Sequence, residues 1–164
     1  MKKKGFTLVE ILITLAIIGV IASIIAFSLT IIKQRSADTK RASDMGQIAK
    51  ALELFYDKNA KYPGRLDNLV YEGFLPTVPF PPEGGVQIFY SYVPLGENRI
   101  CTGYHLGVAM ETGYRDTLKN DADAYPGVPC EEAEGPDFDG TAMNCQAGVP
   151  GEGAGKGNCY DIKI

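Results

Sequence analysis

Lys2-Lys3-Lys4-Gly5-Phe6-Thr7-Leu8-Val9-Glu10 runs straight into an apolar stretch from Ile11 to Ile32 that carries no charge. Roughly twenty such residues suffice to cross a bilayer, so the stretch reads as a membrane-length helix. Glu10 stands at its head. A carboxylate facing hydrocarbon is costly, which calls for a headgroup layer beside Glu10 or a partner bearing positive charge. The second demand points to assembly.

Two simpler readings compete. In a secretory signal, Lys2 to Lys4 form the basic region, Ile11 to Ile25 the apolar region and Ala26-Phe27-Ser28 the cleavage site. Glu10 then opens the apolar region and the run continues past the cut, both against that reading. A plain single-span anchor fits the length. Its orientation stays open on charge alone, because Lys33, Arg35, Lys40 and Arg41 balance Lys2 to Lys4 across the span.

The lysine triplet, Gly5, Phe6 and Glu10 together resemble the processing signal of type IV prepilins and type II secretion pseudopilins. The resemblance implies a leader, residues 1–5, cut between Gly5 and Phe6 by a prepilin peptidase, and N-methylation of the Phe6 amine. It implies a precursor in the bacterial inner membrane with its N-terminus in the cytoplasm. Residues 6–32 are then the transmembrane and polymerisation helix, and Glu10 the buried acid that meets the Phe6 amine of an identical neighbour. The product is a helical filament, periplasmic or extracellular. The physics agrees: once Lys2 to Lys4 are gone, a terminal ammonium is the cation near Glu10, and pairing offsets the cost of burial.

About 130 residues follow Ile32, enough for one small domain. Net charge is −4, and subtracting the three leader lysines leaves −7 for the mature form. That acidity disfavours a nucleic-acid grip, which needs clustered Lys and Arg. Solubility is its ordinary meaning. No nucleophile elbow, phosphate loop or histidine constellation is present, so a structural role rather than catalysis is expected.

From Ala37 to Lys58 the chain is polar and free of proline, with Met45, Ile48, Leu52 and Phe55 at spacings of three and four, joined by Ala49 and Tyr56. This predicts an amphipathic helix over 33–58 that continues the membrane helix. From Phe6 to Lys58 the two together span about 80 Å at 1.5 Å per residue. Asn59 suits a left-handed cap and Pro63 stops the helix. Asp67-Asn68-Leu69 reads as a short helical turn, and residues 75–82, rich in proline, as an extended loop. The order Tyr56, Asn59, Tyr62-Pro63, Leu66, Leu69, Gly73, Leu75-Pro76, Pro79 is similar to the segment after the long helix in the major, G-type pseudopilins and related Gram-positive-type pilins. It departs from them at Phe80-Pro81, where Asp-Pro is usual, and Phe27 stands where many relatives carry proline.

Residues 59–164 are expected to form a small antiparallel β head on the helix stripe, an α+β, pilin-like fold. Alternation predicts strands over Val86–Val93, over Ile100–Met110 with Ile100, Tyr104, Leu106, Val108 and Met110 on one face, and through Tyr160, Ile162 and Ile164. Pro94 to Asn98 is the expected hairpin turn. His105 then falls on the face opposite Leu106, as a surface or edge histidine.

Residues 120–158 are rich in Gly, Pro, Asp and Glu, too long for a plain loop unless stapled or ligated. Cys101, Cys130, Cys145 and Cys159 supply staples, up to two disulfides with three possible pairings. Zinc is disfavoured, since no Cys-x-x-Cys occurs. Asp121 with Asp123, and Asp137 with Asp139, are carboxylates spaced by two that suit calcium, and G-type pseudopilins carry a calcium site in this region. The competing reading is an acidic, solvated loop with Asx-turns. Glu131, Glu132 and Glu134 read as a solvated charge run.

Three functions therefore stand side by side. They are a pilus or pseudopilus subunit, a monomeric membrane-anchored binding module, and a DNA-uptake pseudopilin that would need a basic patch from Lys61, Arg65, Lys119 and Lys156. The segment through Tyr62-Pro63 points toward a secretion pseudopilus, while four cysteines and the long loop point toward an exposed pilus.

Overall fold

The computed structural model describes residues 5, 7–83, 87–97, 100–112, 121–151 and 157–164. Its elements are α1 (Leu8–Asn59), α2 (Asp67–Tyr71), β1 (Ser91–Glu97), β2 (Ile100–Ala109) and β3 (Cys159–Lys163). The fold is α+β, as expected. The chain divides into two units, Met1–Gln34 and Arg35–Ile164.

In the first unit, α1 is apolar all round, and every described side chain from Thr7 to Thr30 is exposed. α1 is long and apolar enough to cross a membrane. Its hydroxyls do not spoil that property. Thr14, Ser23 and Ser28 donate back to the carbonyls of Ile11, Gly19 and Ile24 at 2.8, 2.8 and 3.0 Å. These three hydroxyls are thus satisfied within the helix, as a lipid environment requires.

The second unit contains the sheet, an antiparallel β1-β2-β3. The predicted stripe on α1 is its core: Met45, Ile48 and Leu52 are fully buried, with Phe55 beside them. They pack on Tyr104, Leu106, Val108, Met110 and Tyr160. Strand alternation sends Tyr104, Leu106 and Val108 of β2 to the helix and His105 and Gly107 to the far face. Ile100, expected on the helix face, is instead 61% exposed at the strand's start.

The far face is not solvated. Val93 and Leu95 of β1 pack there on Phe138, Cys145 and Cys159, so residues 121–151 form a second cover over the sheet. β2 is buried from Gly103 through Ala109 on both sides. This corrects the reading of His105, which is fully buried. Alternation placed it correctly on the face opposite Leu106, but that face is covered.

β1 begins five residues later than alternation predicts and includes the expected turn residues Pro94 to Glu97. Val86 and Asn98, the outer limits of those two predictions, lie outside the described residues. Proline is tolerated in β1 because β1 is the edge strand. The Pro94 carbonyl accepts from Cys130 N at 3.1 Å, and Gly96 N donates to Val128 O at 3.0 Å, so residues 128–130 cap the edge. A register shift falls between Leu95 and Gly96, and Gly96 takes φ +149°, a conformation open to glycine.

The left-handed residue that ends α1 is Ala60 (φ 56°) rather than Asn59. Asn59 stays helical with its amide donating to Glu72 Oε2 at 3.3 Å, and Ala60 N still reaches Tyr56 O at 2.7 Å. Beyond it, Tyr62 N bonds Cys101 O at 2.8 Å, tying the helix exit to β2.

A charged cluster over residues 38–44 of α1 fixes that part of the helix to the head. Arg41, fully buried, donates to Asp38 Oδ1 at 2.8 Å, Glu111 Oε1 at 2.7 Å and Pro82 O at 3.2 Å. Asp38 also accepts from Glu111 N at 2.9 Å, Thr112 N at 3.0 Å and Thr112 Oγ1 at 2.5 Å. One turn on, Asp44 binds Lys40 and the Tyr90 hydroxyl, both near 2.8–2.9 Å. Periodicity marks only apolar residues and so missed this cluster.

Candidate functional site

The segment around Glu10 carries the functional prediction, and its geometry is local. Thr7 N and Thr7 Oγ1 donate to Glu10 Oε2 at 2.8 and 2.7 Å, while Glu10 N approaches Thr7 Oγ1 at 3.3 Å. Thr7-x-x-Glu10 is therefore a capping box that satisfies the first free N–H groups of α1. The four-residue pattern was legible in the sequence, though the cost of a carboxylate drew attention to Glu10 alone. One oxygen of Glu10 takes both Thr7 donors, and its whole side chain stands at the head of an exposed apolar helix.

Gly5 lies before the helix in exposed backbone that is neither helix nor strand. Phe6, the other half of the expected contact, lies outside the described residues. Around Gly19 a Cβ would meet nothing within 4 Å, leaving that helix face open within the subunit.

In the head, the four cysteines form two disulfides, Cys101–Cys130 and Cys145–Cys159. This selects one of the three pairings. The first ties β2 to residues 128–130 and the second ties the loop's far end to β3, so residues 121–151 are stapled at both margins.

The four aspartates are put to separate uses. Asp121 Oδ1 accepts from Asp161 N at 2.9 Å. Asp123 has a left-handed backbone, φ 45°. Asp137 Oδ1 accepts from His105 Nδ1 at 2.8 Å and Phe138 N at 2.9 Å, and its Oδ2 from Gly127 N at 2.7 Å. Asp139 Oδ1 closes an Asx-turn on Thr141 N and Oγ1 at 2.9 and 2.6 Å. Among the described residues, no three His, Cys, Asp or Glu side chains gather as a metal cage. Among the described residues the four aspartates are thus not gathered into one ligand set, and Asp137 has both oxygens engaged by protein donors.

His105 and Asp161 were not foreseen. His105 Nε2 meets Asp161 Oδ2 at 2.9 Å, and its ring stacks on Phe138 with centroids 3.8 Å apart. Burial alone would lower the His105 pKa, but the bonds to Asp137 and Asp161 outweigh it and hold the pKa above its ordinary value. Burial, reinforced by the neighbouring Asp161 carboxylate, pushes Asp121 up to about 7.

Two of the four cations proposed for a basic patch are accounted for. Lys61 pairs with Glu132 and Arg65 with Glu134, each at 2.7 Å. Lys119 and Lys156 lie outside the described residues.

Comparison with known proteins agrees with this organisation. The family model described as the prokaryotic N-terminal methylation motif matches residues 1–26. The type II secretion system core protein G of Escherichia coli (strain K12) is 30% identical over 135 residues, 73% of this chain and 91% of that protein. The protein of the same name from Pectobacterium carotovorum subsp. carotovorum is 28% identical over 132 residues, 77% of this chain and 81% of its own length. That of Aeromonas hydrophila is 26% identical over 135 residues, with 73% and 92% covered. Among solved structures none matches. A methylation-type N-terminus, an exposed apolar helix and a disulfide-stapled α+β head thus coincide with similarity along most of the relatives' length, and the chain belongs to the type II secretion system core protein G family of pseudopilins.

Proposed function

We propose that this pseudopilin is made as a precursor held in the inner membrane by residues 6–32 and cut by prepilin peptidase between Gly5 and Phe6. The new Phe6 amine is methylated, and identical subunits leave the membrane for a periplasmic secretion pseudopilus. The observation that carries this reading is Glu10, held by Thr7 at the head of an apolar helical segment whose described side chains from Thr7 to Thr30 are all exposed. That much apolar surface has to be covered by lipid before assembly and by neighbouring helices after it. In the filament the Phe6 ammonium of a neighbour takes up the Glu10 charge that burial would otherwise leave unpaired. The contact joins the head of one helix to a different surface of the next, so it propagates as a fibre and does not close.

The secretion pseudopilus is favoured over a surface pilus by the names of the similar proteins, and over DNA uptake by the pairing of Lys61 and Arg65 with carboxylates. Mass spectrometry of the mature N-terminus is the direct test. A chain starting at Phe6 with one added methyl group is expected, and a start at Leu29 would overturn the reading. Glu10→Ala separates assembly from processing: cleavage persists while filaments disappear. Unchanged filaments in that variant would remove Glu10 from the assembly contact.

A further inference from the structure

The cover over the sheet's far face is fastened by a charge as well as by disulfides. His105 is fully buried, with Nδ1 2.8 Å from Asp137 Oδ1 and Nε2 2.9 Å from Asp161 Oδ2. A neutral imidazole has one N–H and one lone pair, so it cannot donate to two ionised carboxylates at once. An imidazolium can. The surroundings suit that ion. Asp137 also takes the N–H groups of Phe138 and Gly127, and Asp161 Oδ2 that of Ala124 at 3.1 Å. Lys163 Nζ stands 3.9 Å from Asp137 Oδ2, and Asp121 adjoins Asp161. Phe138 closes the site by stacking on the ring.

We propose that His105 is an internal cation of the head, an imidazolium clamped between Asp137 and Asp161 that holds residues 121–151 on the sheet. Asp137 is then its counter-ion and not a calcium ligand. β2 supplies the histidine, β3 supplies Asp161 and the cover supplies Asp137, so the clamp crosses all three pieces that meet on this face.

His105 is the one histidine in the chain, which allows a single-site test. The full chain, labelled with 15N-histidine and held in detergent micelles, gives one pair of ring signals. At pH 7 both nitrogens are expected in the protonated range, unchanged by added calcium or EDTA. A neutral single tautomer, or a ring signal displaced by calcium, would overturn the clamp. Thermal melting provides the second measurement: Asp137→Asn and His105→Gln should each lower the midpoint by about 10 °C. They should also open residues 121–151 to protease, while EDTA leaves the wild type unchanged. Variants melting with the wild type, or EDTA bringing the wild type down to Asp137→Asn, would refute the proposal.

Discussion

Asp38→Ala and Arg41→Met remove opposite ends of the same buried ion pair and should differ sharply in cost. Asp38 accepts four hydrogen bonds, from Arg41 Nη1, Glu111 N, Thr112 N and Thr112 Oγ1. Alanine there leaves a fully buried guanidinium short of its main counter-charge and strands two backbone N–H groups. Uncompensated buried charge costs about 3–5 kcal/mol, and we take about 4 kcal/mol for this variant. Arg41→Met leaves Asp38 with its three bonds from residues 111–112, while Glu111 is 18% exposed and can turn to water. Methionine refills an irregular space but leaves a buried carboxylate without its cation, held by three donors, so this variant should cost about 2 kcal/mol. At about 3 °C per kcal/mol for a head of this size, the midpoints fall by about 12 °C and about 6 °C. Circular dichroism melts of the full chain in detergent measure both. Equal destabilisation by the two variants would refute the reasoning, because it would mean that Asp38 acts only through Arg41 and not by organising residues 111–112.

The disulfides should contribute unequally. By loop-closure entropy, Cys101–Cys130 with a separation of 29 residues is worth about 3.6 kcal/mol and Cys145–Cys159 with 14 about 3 kcal/mol, read from denaturation of the paired Cys→Ser variants. Gly107→Ala should destabilise by about 2 kcal/mol in the same assay, since its Cβ would lie 2.7 Å from Phe138 Cε2 and 2.8 Å from Cys145 Sγ. Rising pH should loosen the head. Asp121, at about 7 when folded against 3.8 unfolded, makes the folded state bind more protons across that window, so stability falls as pH rises from about 4 to about 7. His105 acts in the same direction at higher pH. Its raised pKa contributes stability that is complete below 6.5 and is lost as pH climbs through the folded value. Asp121→Asn should flatten the lower part of the profile, its amide accepting from Asp161 N and donating to Asp161 Oδ1, which has no hydrogen-bond partner among the described residues.

The sequence determined whatever depended on one stretch of chain at a time. The apolar run, Glu10 at its head and the Met45 to Phe55 stripe follow from composition and period, because solvent sorts a helix's faces whatever it later packs against. The Thr7–Glu10 capping box belonged to this class too, since its residues lie three apart. Tertiary structure decided what depended on a second segment's arrival. β1 took its limits from β2 and from residues 128–130 rather than from its own alternation. The disulfide pairing required distances that spacing does not encode. His105 turned on the same kind of fact: alternation gives the face of a strand, but only the folded chain places residues 121–151 over it. That cover makes an edge histidine into a buried ion held by Asp137 and Asp161, residues 32 and 56 positions away. Local periodicity reports the side of an element, and burial depends on what covers that side.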